Sequence, residues 1–433
     1  MKRPVLAIAL LVNVRHADAQ ATFHGDIART GAYATAGPAQ FGGVKWRFAT
    51  QGAVISSPAL VDGVVYVGSA DGNLYAIDAE SGAQKWKFAT DEPVISSPAV
   101  ANGLVYFVGS DGALYAVTAD DGIGKWRFTT GGERRFEAKG IHGLTPAAQN
   151  IPDPMDLFLS SPAVFGGRVY FGSSDGKVYA VDAGTGILVW SFATSDVVHA
   201  SPAVANGTVY IGSWDSNLYA LDAATGQERW RFKAGEDPVT HNQVGFQSSA
   251  AVVDGVVYVG CRDGHVYAVD AATGRKLWEY STSQSWVNST PAVRDGVVYA
   301  GTADTHRFHA LDAKTGRLRF VVDAQALIFG SAAIAGNLAY IGAFNGKLLA
   351  VNIASGKIDW EFRTDASIAD PLKMLLPGGG FDRKAMRPVF HNFLDMTVNL
   401  SRMFSVGAIV STPVVDRGII YFGSTDGYVY ALR

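Results

Sequence analysis

The stretch SSPALVDGVVYVGSADGNLYAIDAESGAQKW (56–86) decides the fold. It holds short β-rich runs, SPALV, VVYVGS and NLYAID, and its tryptophan opens a fourth, QKWKFAT. The joints between them, DG, ADG and AESG, are hairpin turns in which glycine supplies a positive φ. A single four-stranded antiparallel sheet of this composition cannot bury both of its faces. Copies arranged radially can, because each covers its neighbour.

The copies are present. The inner phrase SSPAV or a variant begins at Ser56, Ser96, Ser160, Ala200, Ser248, Ser289, Gly330 and Ser411. Each is followed by a tyrosine phrase at Tyr66, Tyr106, Tyr170, Tyr210, Tyr258, Tyr299, Tyr340 and Tyr421. The tryptophan column then reads Trp86, Trp126, Trp190, Trp230, Trp278, Phe320 and Trp360. Self-similarity at this period signals a propeller. The eighth unit stops at YVYALR (428–433) without its tryptophan strand, whereas GGVKWRFAT (42–50) near the start is that strand. Val44–Thr50 is therefore expected to complete the last blade and close the ring, which removes a free sheet edge. The expectation is an all-β, eight-bladed β-propeller over 44–433, with insertions at 131–159 and 365–410.

Near copies of AIDAESGAQKW (76–86), namely AVDAGTGILVW (180–190), ALDAATGQERW (220–230) and AVDAATGRKLW (268–278), resemble the repeats of pyrroloquinoline-quinone (PQQ)-type propellers. The family includes quinoprotein dehydrogenases. It also includes non-enzymatic periplasmic members, such as the propeller lipoprotein of the outer-membrane barrel-assembly machinery. The resemblance implies that Trp46, Trp86, Trp126, Trp190, Trp230, Trp278 and Trp360 dock against neighbouring blades. It offers two activities. One is a PQQ- and calcium-dependent dehydrogenase acting on an alcohol or sugar. The other is a binding or scaffold protein with no cofactor. The dehydrogenases' vicinal cysteine pair has no counterpart, since Cys261 is the only cysteine. A CxxCH haem site is also lacking, and no catalytic residue carries over by motif. The binding reading is preferred.

Composition supports neither nucleic-acid nor polybasic membrane binding: the net charge is −3 and no block of like charges occurs. Residues 1–19 read as a signal peptide, with two early cations, a short apolar run and ADA at 17–19. The apolar run is too short to span a bilayer. Residues 20–43 read as a linker. A periplasmic or secreted monomer with no lipid-anchor cysteine is expected, binding an envelope protein or a small ligand.

All length variation falls in connections on one face, at 131–159, 234–247 and 365–410, where binding residues usually collect. In the last of these, apolar residues from Met386 to Phe404 follow helical spacing, with Pro388 in the first turn. The column preceding each inner phrase reads Ile55, Ile95, Leu159, His199, Gln247, Asn288, Phe329 and Val410. Three consecutive blades are polar there. Trp286, Trp214, Arg262, His241 and Asn242 lie nearby in sequence or in the upper turns. Either these groups satisfy the loops' own hydrogen bonds, or they line a polar pocket with an aromatic wall. Arg134 and Arg135 are candidates for anion binding or for a solvated loop. GSSDG (172–176) matches a serine-hydrolase pattern but occupies a hairpin turn, not a strand-to-helix elbow. No cluster has metal-ligand spacing, and the catalytic residues of any enzymatic activity are left unassigned.

Overall fold

The computed structural model describes residues 21–236, 241–386 and 391–433. Eight four-stranded antiparallel sheets form the ring. In the first blade the strands are Ala59–Val61, Val64–Gly68, Asn73–Asp78 and Gln84–Ala89. Asp62 and Gly63, between the first two, both have positive φ. That is the geometry of the two-residue turn that matches strand twist. The last blade takes its outer strand, Val44–Ala49, from the start of the chain, with Trp46 opposite Ala431 and Phe48 opposite Val429. The ring is thus closed by sheet hydrogen bonds between the two ends.

The repeated phrase SSPA has a physical reason in each of its serines. The first replaces a backbone acceptor: Ser56 Oγ accepts from Gly68 N at 3.0 Å, and Ser411 Oγ from Gly423 N at 2.8 Å. The second joins neighbouring blades. Ser57 N donates to Ser97 Oγ, Ser97 N to Ser161 Oγ, and so on through Ser201, Ser249, Thr290, Ser331 and Thr412. Thr412 N then donates back to Ser57 Oγ at 2.8 Å. Eight hydrogen bonds form one closed circle around the central channel.

At the outer rim the tryptophans tie blade to blade. Trp86 Nε1 donates to Ala119 O at 2.9 Å, and the Tyr66 hydroxyl donates to the same carbonyl. Trp46, Trp126, Trp190, Trp230 and Trp278 repeat the bond to Ala79, Ala183, Ala223, Ala271 and Ala313. Trp360 differs: it donates to Pro38 O, in the N-terminal segment. Gly122, at φ +72, lies against the Trp86 ring so closely that a Cβ would sit 2.6 Å from it. That crowding explains the glycine of this turn.

The segment expected as a linker is packed structure. The innermost strand of each blade leaves an unpaired edge toward the channel, and residues 21–36 meet it on the face opposite the insertions. Ala21 O, Ile27 O, Ala28 O, Thr30 O and Gly31 O accept from Val100, Val204, Val252, Val293 and Ile334, one residue in each of five blades. Ala32–Tyr33 pairs parallel with the innermost strand of blade seven. Arg29, fully buried, donates to the carbonyls of Phe23, Ser161, Pro162 and Pro202 and to Thr22 Oγ1. Burial lowers its pKa to about 9, which still leaves it charged at neutral pH. The expected signal peptide lies outside the described residues.

The two long insertions form a lid on the other face. Residues Glu137–Lys139 and Asn150–Pro152 make a two-stranded sheet within the first. The second contains short and long helices, Asp365–Ala369 and Phe393–Phe404, the latter capped by Asn392 Oδ1 on Asp395 N. The helix is shorter than the spacing predicted: it begins at Phe393, Met386 lies outside it, and Pro388 is outside the described residues. Asn392 starts it, because its side chain satisfies an otherwise unpaired N–H. Thr145 N and Oγ1 both reach His391 O at 2.7 Å, which joins the two insertions.

Candidate functional site

The eight residues preceding the inner phrases do form one ring, at the lid end of the channel. Its apolar members are Ile55, Ile95, Leu159, Phe329 and Val410; His199, Gln247 and Asn288 lie side by side. Directly on the channel axis the free cavity is only about 30 Å³, closed below by Phe23. That volume suits a few water molecules.

The first insertion covers His199 and Gln247 of the polar sector, whereas Asn288 beside them is buried with neither amide atom hydrogen-bonded among the described residues. The insertion's segment IPDPMDLF (151–158) brings two buried aspartates down onto the sector. Asp156 Oδ1 lies 2.8 Å from His199 Nδ1 and 3.4 Å from Gln247 Nε2, which also donates to Met155 O at 3.2 Å. Asp153 Oδ2 accepts from Arg262 Nη1 at 2.6 Å, and Asp153 Oδ1 lies 2.8 Å from His142 Nε2. The Arg262 guanidinium is sandwiched between two indoles, 3.9 Å from the Trp286 centroid and 4.6 Å from Trp214. Such stacking is a favourable setting for a desolvated guanidinium. Phe136 stacks on the far side of Trp214 at 4.5 Å. Burial by itself would raise the Asp153 carboxyl, but Arg262 and His142 hold it well below the usual carboxylate range.

His199 has a second partner. Its Nε2 lies 2.5 Å from Ser174 Oγ, and Ser174 Oγ is hydrogen-bonded to Glu133 Oε2. Asp156, His199 and Ser174 thus stand in the order of a catalytic triad, and Ser174 is the serine of GSSDG. The protons run the wrong way for hydrolysis. A triad serine donates to a neutral histidine; here the hydroxyl donates to Glu133, and the imidazole donates from both nitrogens. Burial opposes its charge, yet Asp156 and Glu133 together raise its pKa to about 10. An imidazolium with both N–H groups committed is no general base. The arrangement anchors the insertion to blades three and four.

Asn242 Oδ1 lies 2.7 Å from His142 Nδ1, so it joins the polar sector through the insertion. His241 is half-buried at positive φ, away from His199 in hydrogen-bonding terms. Arg134 reaches Asp196 at 3.6 Å, and Arg135 is exposed. His309 is a core residue beside Tyr280, kept neutral by burial at a pKa of about 4. Asp153, Asp156, Glu133 and His142 were missed from the sequence. The signal was there: two carboxylates in an apolar run, and an unexplained Arg262 and His199 that needed counter-charges.

The quinone and calcium implied by the resemblance would have to sit at this channel mouth. The channel mouth that a three-ring quinone would need is occupied by Met155 and Leu157, which pack with Trp286, Leu400 and Met403 in one apolar cluster. Arg262 is already neutralised by Asp153. Among the described residues no group of three or more His, Cys, Asp or Glu side chains is gathered to hold a metal ion. The channel mouth does not fit the pair.

Beside the polar sector, a pocket of about 410 Å³ opens between the lid and blades one to four, lined on its apolar side by Ile55, Ile95, Phe158, Leu400 and Phe404 and at its other end by Glu133, Asp156 and His199. No helix among the described residues is long and apolar enough to cross a membrane.

Solved structures of the same fold include BamB from Moraxella catarrhalis, with 18% identity over 90% of this chain and 97% of that one, at a TM-score of 0.62. A europium-containing methanol dehydrogenase matches with 15% identity over 95% and 91%, TM-score 0.67. Quinohemoprotein alcohol dehydrogenase from Comamonas testosteroni matches with 16% identity over 95% and 80%, TM-score 0.69. At these identities the likeness is one of fold. No curated protein sequence matches significantly. The family model described as outer membrane protein assembly factor BamB matches residues 35–151, 148–285 and 243–392. The chain belongs to this family of PQQ-like propellers.

Proposed function

We propose that the chain is an exported, non-enzymatic propeller of the periplasm that binds a protein partner through its lid, as a scaffold in outer-membrane protein assembly. One observation carries the reading. In the first insertion Glu133, Asp153 and Asp156 are turned inward and paired with His199, His142 and Arg262, while the outer side of the lid presents apolar side chains to solvent among its exposed charges. Ile368 and Leu394 are 71% and 63% exposed, and Leu372 and Leu376 are exposed near them in sequence. Large apolar side chains on a lid held by internal ion pairs suit a protein interface. The family's printed description supports the same direction. Export rests on the signal-like residues 1–19.

The test places a photo-crosslinking amino acid at Leu394, Leu372 or, as a control on an outer blade strand, Leu188. Cells carrying the full-length protein are irradiated. A discrete adduct with an outer-membrane assembly component from the lid positions, and none from Leu188, is expected. A parallel titration with PQQ and calcium decides the competing reading. Stoichiometric quinone binding with alcohol- or sugar-dependent dye reduction would overturn the proposal.

A further inference from the structure

The open pocket has a chemistry that partner docking does not use. Its volume is about 410 Å³, within the usual range for small-ligand sites. Ile55, Ile95 and Phe158 are only half-buried there, so their apolar surface faces the cavity. Leu400 and Phe404 of the helix Phe393–Phe404 form the opposite wall. This is a slot with apolar sides, held between a rigid ring and a packed helix.

Its polar end sets His199, Arg134 and Arg135 against Glu133, Asp156 and, at the rim, Asp196. Glu133 and Asp156 are both committed, to Ser174 and His199 and, for Asp156, to Phe136 N. Arg134 has two long contacts, 3.6 Å from Nη2 to Asp196 and 3.4 Å from Nη1 to Arg135 O. Arg135 is exposed, and among the described residues no carboxylate lies within ion-pair distance of it. Arg135 is therefore a guanidinium without a carboxylate partner among the described residues, at the rim of an apolar slot, with Arg134 next to it on its long contact to Asp196. A guanidinium recognises a carboxylate through paired hydrogen bonds.

We propose that this pocket binds a small amphipathic organic anion, a medium-chain acyl carboxylate, with its chain between the Ile55/Ile95 wall and the lid helix and its head at Arg134 and Arg135. The inference rests on the upper face being a binding face, but it fails separately. Crosslinking at Leu394 reports the outer side of the lid and does not involve this pocket.

The probe is decanoate, titrated calorimetrically into the full mature protein below its micelle concentration, with decanol and decyltrimethylammonium as matched controls. Saturable one-to-one binding of decanoate is expected, at least tenfold tighter than decanol, with no binding of the cation. Arg135→Glu, a surface change that does not threaten folding, should weaken decanoate at least tenfold and leave decanol unchanged. Ile95→Trp should abolish binding of both, with its melting temperature checked alongside. If decanoate does not saturate the wild-type protein, there is no such site. If the cation binds as well as the anion, or Arg135→Glu leaves decanoate unchanged, the assigned head-group contact is wrong and the proposal falls.

Discussion

Between pH 6 and pH 10 the His199 ion cluster should decide a measurable part of the protein's stability. In the fold its pKa is about 10, against an ordinary 6.5. A group whose folded pKa lies above its unfolded one contributes stability that is fully present below the unfolded value. That stability is lost as pH rises through the folded value. The window is therefore about 6.5 to 10. A difference of this size corresponds to ~5 kcal/mol at the acid end, falling by ~1.4 kcal/mol per pH unit across the window. The reference is the triple variant Glu133→Gln, Asp156→Asn, His199→Gln, which keeps shapes and removes every charge in the cluster. Denaturant midpoints followed by tryptophan fluorescence, at one-unit pH steps from 6 to 10, give the wild-type-minus-variant difference. Groups common to both proteins cancel. The difference should shrink steadily as pH rises. A flat difference would mean that His199 is neutral in the fold. The proton assignment would then be wrong, and Ser174 would be free to donate to the imidazole as in a hydrolase.

Four other outcomes follow from the geometry. His199→Ile, which restores the residue of blades one and two, strands Asp156 and Glu133 without their cation. It should cost about 3–5 kcal/mol at pH 7, and adding Asp156→Asn should recover part of that, read by denaturant midpoint. Arg262→Leu similarly leaves Asp153 buried and unpaired, and should cost about 3–5 kcal/mol while loosening the 131–159 insertion to limited proteolysis. Arg29→Met removes the donors to four carbonyls and one hydroxyl; a loss of ~3 kcal/mol or more in a melting or denaturant series is expected. Gly122→Ala forces a Cβ against Trp86 at positive φ, and should destabilise by about 1–3 kcal/mol, with the Trp86 emission shifted.

The ring was legible because repetition is a one-dimensional signal. Hairpin turns, the tyrosine and tryptophan columns and the displaced strand at Val44 all follow from local rules applied eight times. Even the polar run His199, Gln247, Asn288 could be placed on neighbouring blades by alignment alone. Its meaning could not. Whether three polar groups bind a ligand or each other depends on what lies above them, and that is an insertion with no repeat to align. Asp153 and Asp156 are more than forty residues from His199 in the chain, and no period carries them there. The boundary of the lid helix failed for a related reason: apolar spacing continues through Met386, but the side chain of Asn392 starts the helix.

By itself, then, the sequence determined the number of blades, their closure and the facing of the loops, because these are properties of a repeated unit that must bury both faces. The tertiary structure decided the rest. It turned the linker into a plug, since the inner edges of five blades needed acceptors that only the N-terminal segment could bring. It also sealed the polar sector that the sequence offered as a site, since buried charges must be paired. The open pocket lies instead over the apolar half of the same ring, with the Glu133, His199 and Asp156 cluster at its polar end.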